Sequence, residues 1–135
     1  MGIILTLAMA VSITVGSSPD QVLRTIEGIL SAREIPIAQI SRGGLTTGWV
    51  EIDLEELPPY IIDNLPDDDP GWTRARFTLE IRVEKLKDKS QVSIDAHFER
   101  YGTKSRYMLV PPIWLSVPSS GKLEREILDE LRRGR

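Results

Sequence analysis

At 135 residues the chain is the size of one domain, long enough to bury about two thirds of its unfolded surface without cross-links. Its 41% hydrophobic and 27% charged residues describe a globular protein and exclude a disordered one. The lack of cysteine excludes disulfides, thiolate metal sites and a thiol nucleophile, the single histidine excludes multi-histidine metal centres, and a net charge of −3 argues against a general nucleic-acid binder.

Ile3 to Val15 is almost wholly apolar. As a helix it would rise only ~20 Å, short of the ~30 Å hydrocarbon core of a bilayer, so it is not read as a transmembrane span. Val11, Ile13 and Val15 alternate with Ser12 and Thr14, which predicts a strand over residues 8–15. Residues 1–10 read as a signal-peptide remnant, because Ala8-Met9-Ala10 fits a small-residue cleavage site, or as an extension of that strand. No Lys or Arg precedes Arg24 to make a basic leader. The folded domain is expected over residues 11–133.

Ser18 and Pro19 start a helix as cap and first residue. Val22, Leu23, Ile26, Ile29 and Leu30 form its apolar face, and it ends near Arg33. Gly28 within it suggests close packing against another element. Ile35 to Ile40 and Leu45 to Leu54 predict a hairpin turning on Ser41-Arg42-Gly43-Gly44. A long proline-stiffened loop follows from Glu55 to Gly71, with the run Asp67-Asp68-Asp69 and a short helical turn around Tyr60 to Asn64.

Trp72 to Lys85 and Gln91 to Tyr101 are the clearest strands, joined by Lys87-Asp88-Lys89-Ser90. Ala75, Phe77, Leu79, Ile81 and Val83 alternate with Arg74, Arg76, Thr78, Glu80, Arg82 and Glu84. Val92, Ile94, Ala96 and Phe98 alternate with Ser93, Asp95, His97 and Glu99. Charge complementarity predicts Arg82 opposite Asp95 and Glu80 opposite His97, because the register two residues away sets Glu80 against Asp95. Pro111, Pro112 and Pro118 make Tyr107 to Val117 an extended covering segment rather than a central strand. The last helix follows Ser119-Ser120-Gly121, with Leu123, Ile127, Leu128 and Leu131 inward and Glu124, Glu126, Asp129 and Glu130 among its balancing surface charges. The sum is an α+β domain of order β-α-β-β-β-β-α. An antiparallel sheet of about five strands has one solvated face and two helices packed on the other.

No residue pattern identifies a chemistry. His97 with Asp95 or Glu80 reads as a charge ladder on an open face rather than an acid–base pair. Asp67-Asp68-Asp69, with Asp63 and Asn64, lacks the alternation, central glycine and distal glutamate of a calcium loop. Arg74, Arg76, Arg82 and Arg106 with Tyr101 and Tyr107 resemble a basic stacking surface, but acidic residues interrupt it and the outward strand positions between Arg74 and Glu84 carry no aromatic. No catalytic, cofactor or metal residue is assigned. Tyr60, Trp72, Tyr107 and Trp114, near or inside loops, are the candidate partner-binding residues, with Leu57 to Trp72 and Tyr107 to Val117 as the surface.

The helix entered from a strand, the glycine-turn hairpin, the pair Arg74–Val83 and Val92–Phe98, and Pro118-Ser119-Ser120-Gly121-Lys122-Leu123-Glu124 before Ile127-Leu128 together resemble the domain of the BamC (NlpB) outer-membrane-protein assembly lipoproteins, over residues 11–133. The resemblance implies a helix-grip-like fold and a non-enzymatic module with a protein partner in the cell envelope. Its location would be periplasmic or outer-membrane associated, peripheral to the membrane, with the cytoplasm as the alternative if Met1 is the genuine start. The second reading is a small-molecule binder with a cavity between helix and sheet, lined by the small inward residues Ala75 and Ala96.

Overall fold

The computed structural model describes residues 10–63, 71–103 and 110–133. Strand β1 (Val11–Val15) leads into helix α1 (Pro19–Ala32), followed by β2 (Ile37–Ser41), β3 (Gly44–Thr47) and β4 (Val50–Glu51). After a single 3-10 turn at Pro58–Tyr60 come the long strands β5 (Gly71–Lys85) and β6 (Ser90–Thr103), then β7 (Ile113–Val117) and helix α2 (Lys122–Arg132). The fold is α+β, with a seven-stranded antiparallel sheet and two helices among the described residues. Five strands form the path β1-β6-β5-β3-β2, while β4 pairs with β5 and β7 with β6.

The two strands beyond the expected five have local causes. The Leu45–Leu54 strand is broken at Gly48-Trp49 into β3 and β4. Here Gly48 N–H turns away to Pro36 O at 2.8 Å, and Thr47 Oγ1 accepts the Leu79 N–H at 2.8 Å. The segment after Pro111-Pro112 pairs with β6 as an edge strand, where a preceding proline disturbs no ladder.

The β5–β6 register is corrected relative to the charge argument. Glu80 stands opposite Asp95, Arg82 opposite Ser93 and Thr78 opposite His97. Like charges on an exposed face lose only ~0.2–1 kcal/mol. Against that, this register sets Phe77 across from Phe98, with ring centroids 5.5 Å apart, and Ile81 across from Ile94. It also places Arg76 against Glu99, whose closest atoms are 2.7 Å apart in a half-buried ion pair.

Because β5 occupies one edge of β6, β1 and β7 must share the other. β1 pairs with residues 90–94 and β7 with 98–102, leaving Asp95–His97 without a neighbouring strand. Glu124 of α2 fills that interval. It is fully buried and accepts the Ala96 N–H at 3.2 Å and the Ser119 hydroxyl at 2.9 and 3.0 Å. The expectation that Glu124 belongs to the surface charges of α2 is therefore corrected.

Both helices lie on the apolar face of the sheet. α1 buries Val22, Ile26, Ile29 and Leu30; α2 buries Leu123, Ile127, Leu128 and Leu131. Arg33, at the end of α1, ties them together through ion pairs to Glu130 and Glu126. Ser18 caps α1, accepting the Gln21 N–H, with Pro19 in the first turn. Gly28 packs against nothing: a Cβ there meets no atom within 4 Å. Gly28→Ala is accordingly expected to stabilise the fold by about 0.5–1 kcal/mol in denaturant titrations. A loss of stability would show that a neighbour closes on this helix face.

Candidate partner-binding surface

Alternation along β5 and β6 sends Arg74, Arg76, Thr78, Glu80, His97, Glu99 and Tyr101 to the face away from the helices. The cross-strand registers then bring Trp114 of β7 opposite Tyr101, and Tyr101 opposite Arg74. Trp49 reaches the same face from the break between β3 and β4. The Arg76 guanidinium is sandwiched between Trp49 and Trp114, 3.9 and 3.8 Å from their ring centroids. Arg74 lies 5.1 Å from Trp114 on the same stack, and the Tyr101 and Trp114 rings are 5.1 Å apart. Cation–π contacts of this kind contribute ~0.5–2 kcal/mol according to their exposure.

The charges of this stack are matched. Arg76 pairs with Glu99, and Arg74 pairs with Glu51 of β4. His97 lies half exposed beside it, its Nε2 3.2 Å from Glu99 Oε2 and 3.4 Å from Ser116 Oγ, with its ring centroid 6.0 Å from Trp49. The result is a stacked aromatic surface whose two arginines are each matched by a glutamate, on which Trp49 is 44% exposed.

Further along the same face the carboxyl of Asp95 is held above its ordinary range, first by partial burial and then by Glu80 opposite, with His97 and Arg82 opposing the shift. Since the folded pKa exceeds the unfolded one, ionised Asp95 weakens the fold. That penalty is absent below the unfolded carboxylate range, appears as pH rises through the folded pKa, and is complete at neutral pH. Asp95→Asn is therefore expected to stabilise the fold at neutral pH by about a few tenths of a kcal/mol, since the site is only partly buried and solvent screens it, and to gain nothing in acid. A pH-independent gain in parallel melts would refute the electrostatic origin.

The predicted partner residues do not gather into one surface. Trp114 belongs to the aromatic stack. Tyr60 lies on the helix side, its ring stacked 6.4 Å from Phe98, its hydroxyl 3.4 Å from Glu126, and Lys122 Nζ 5.5 Å from its centroid. Trp72 also faces the helix side. A bulge at Thr73 separates the Trp72–Gly102 pair from the Arg74–Tyr101 pair, so parity no longer sets Trp72 with Arg74. Tyr107 and Arg106 fall outside the described residues, as do Asn64 and Asp67-Asp68-Asp69. Leu57 and Ile61, expected at a partner surface, are buried in the core; Ile62 N–H donates to Pro118 O, and Ser120 N–H to Tyr60 O. Arg82 pairs with Glu80 and stays outside the stack.

A cleft of about 560 Å³ opens between β4, the 3-10 turn and the adjoining helix ends. Ile35, Phe77 and Leu123 line it below Arg33, Asp53 and Lys122. Ala75 and Ala96 are buried in the core and do not line it.

Trp49 is the contributor that the sequence reading passed over. Alternation from Val50, Ile52 and Leu54 already places it outward, but its position beside Arg76 depends on the strand break at Gly48. Among the described residues no group of three or more His, Asp or Glu is placed to hold a metal ion, and no helix is long and apolar enough to cross a membrane. No protein-family model matches the chain, and no curated protein matches it at a significant level.

Proposed function

We propose that the chain is a non-enzymatic interaction module that binds a protein partner on the outer face of its sheet, centred on Trp49, Arg76, Trp114 and Tyr101. The observation that carries this reading is the Trp49–Arg76–Trp114 sandwich on a face that no helix among the described residues covers. Trp, Tyr and Arg are the residue types that dominate binding hot spots, and here their rotamers are already fixed by stacking, so little side-chain entropy is lost on docking. The charge balance favours protein over nucleic acid. Phosphate binding relies on uncompensated Lys and Arg, whereas Arg74 and Arg76 are each matched by a glutamate. The cell-envelope setting implied by the BamC-type resemblance belongs to the same proposal and is tested by cell fractionation.

A photo-crosslinking residue in place of Ser116, beside the stack, should give a discrete protein adduct in the native cell. Trp49→Ala combined with Trp114→Ala should abolish it while the fold is retained. An RNA adduct, or an adduct indifferent to both substitutions, would overturn the reading.

The small-molecule alternative has a specific support in the cleft beside Tyr60, with its apolar floor and charged rim. Ligand contacts there would broaden Tyr60 resonances and leave the outer tryptophans unchanged.

A further inference from the structure

A separate cleft of about 480 Å³ lies on the helix side of the sheet, where β5 begins. Leu54, Leu57, Pro58 and Ile61 line it with apolar surface. Its polar side comes from Trp72, Arg100 and Asp63. Arg100 occupies a core-facing position of β6 and is only 5% exposed. Its guanidinium carbon lies 4.5 Å from the centroid of the Trp72 ring.

Arg100 Nη1 donates to Asp63 Oδ2 at 2.8 Å, and Nη2 approaches Oδ1 at 3.5 Å. That pairing engages the terminal edge of the guanidinium and leaves the Nε edge. Arg100 Nε and Trp72 Nε1 are both buried without a hydrogen-bond partner, the two side-chain polar atoms so placed among the described residues. Buried donors almost always have an acceptor, so two of them on residues that line one cleft point to a partner that binds there. Both are donors, so the missing group is an acceptor. Asp63 already balances the arginine charge, which disfavours a dianion, while a guanidinium has donors enough for a second carboxylate.

We propose that this cleft binds a small apolar monocarboxylic acid. Its carboxylate accepts from Arg100 Nε and Trp72 Nε1, and its hydrocarbon lies against Leu54, Leu57, Pro58 and Ile61. The site is on the opposite face from the Trp49–Trp114 stack, so it stands or falls independently of the partner-binding reading.

The test is titration with hexanoate, followed through the indole N–H resonances of the whole chain. Trp72→Phe identifies the Trp72 signal by its loss and keeps the ring beneath Arg100; the rest of the spectrum reports whether that variant is folded. Hexanoate is expected to shift the Trp72 signal saturably, with hexan-1-ol and inorganic phosphate each binding at least about tenfold more weakly. Followed on the surrounding backbone amides, Trp72→Phe should weaken hexanoate several-fold and Trp114→Phe should leave it unchanged. No saturable shift at millimolar hexanoate would overturn the proposal and leave ordered water as the partner of both donors. Equal affinity for the alcohol or for phosphate, or indifference to Trp72→Phe, would overturn it as well.

Discussion

Gly102→Ala is expected to destabilise the fold by about 3 kcal/mol or more, a large effect for one methyl group. Gly102 has φ +149°, a conformation that L side chains rarely adopt. An added Cβ would lie 2.8 Å from Trp72 Cα and closer still to Gly71 O. Both obstacles are backbone of β5, so relief requires opening the end of the β5–β6 ladder rather than turning a side chain. The same movement unseats Trp72, which is held inward by the bulge at Thr73. Urea denaturation of Gly102→Ala beside Gly16→Ala, where a Cβ meets nothing within 4 Å, checks the prediction. A cost below about 1 kcal/mol would show that the bulged end yields easily.

Glu124→Ala is expected to cost about 2–4 kcal/mol, although it replaces a charged residue on an amphipathic helix by the best helix former. The substitution strands the Ala96 N–H between β1 and β7, removes the acceptor of the Ser119 hydroxyl, and leaves a void beneath α2. The stranded amide alone accounts for ~1–3 kcal/mol, and the void adds to it. Glu124→Gln, which keeps an acceptor oxygen, should recover a good part of the loss. If Glu124→Ala and Glu126→Ala prove equally mild in the same denaturation series, the carboxyl of Glu124 does not hold the sheet edge.

These two residues also mark where the sequence stops being legible. The alternation of β5 and β6, the capped first helix, the apolar stripe of the last helix and the α+β class all follow from local periodicity. Register did not follow from charge. The Glu80–Asp95 repulsion is weak on an open face, while the inward pairs Phe77–Phe98 and Ile81–Ile94 and the Arg76–Glu99 bridge act together the other way. Glu124 looks like any charged residue beside an apolar stripe, because its burial depends on a gap in a strand edge far away in the chain. Trp72 changes face through one bulged residue that leaves no mark on the hydrophobic pattern. Of the proposed partner surface, Trp114 stands among the candidate partner residues read from the sequence, whereas Arg74, Arg76 and Tyr101 are weighed there as a basic stacking surface and set aside because acidic residues interrupt them. Trp49 was hidden within an apparently continuous strand.

The interval on β6 that Glu124 fills lies directly across from the interval on β5 that Thr47 fills, since Leu79 is the partner of Ala96. The outer strands therefore stop at one level on both sides, and only β5 and β6 run through. Such an arrangement divides the sheet's cooperativity. The half flanked by β4 and β7, which carries the Trp–Arg stack and the Trp72 cleft, can open as a unit while β1 and β3 stay paired. Native-state hydrogen exchange should then resolve two protection classes, with the amides of β7 and the β4 end of β5 exchanging together and ahead of those beside β1. Binding at the stack would raise protection in the first class alone.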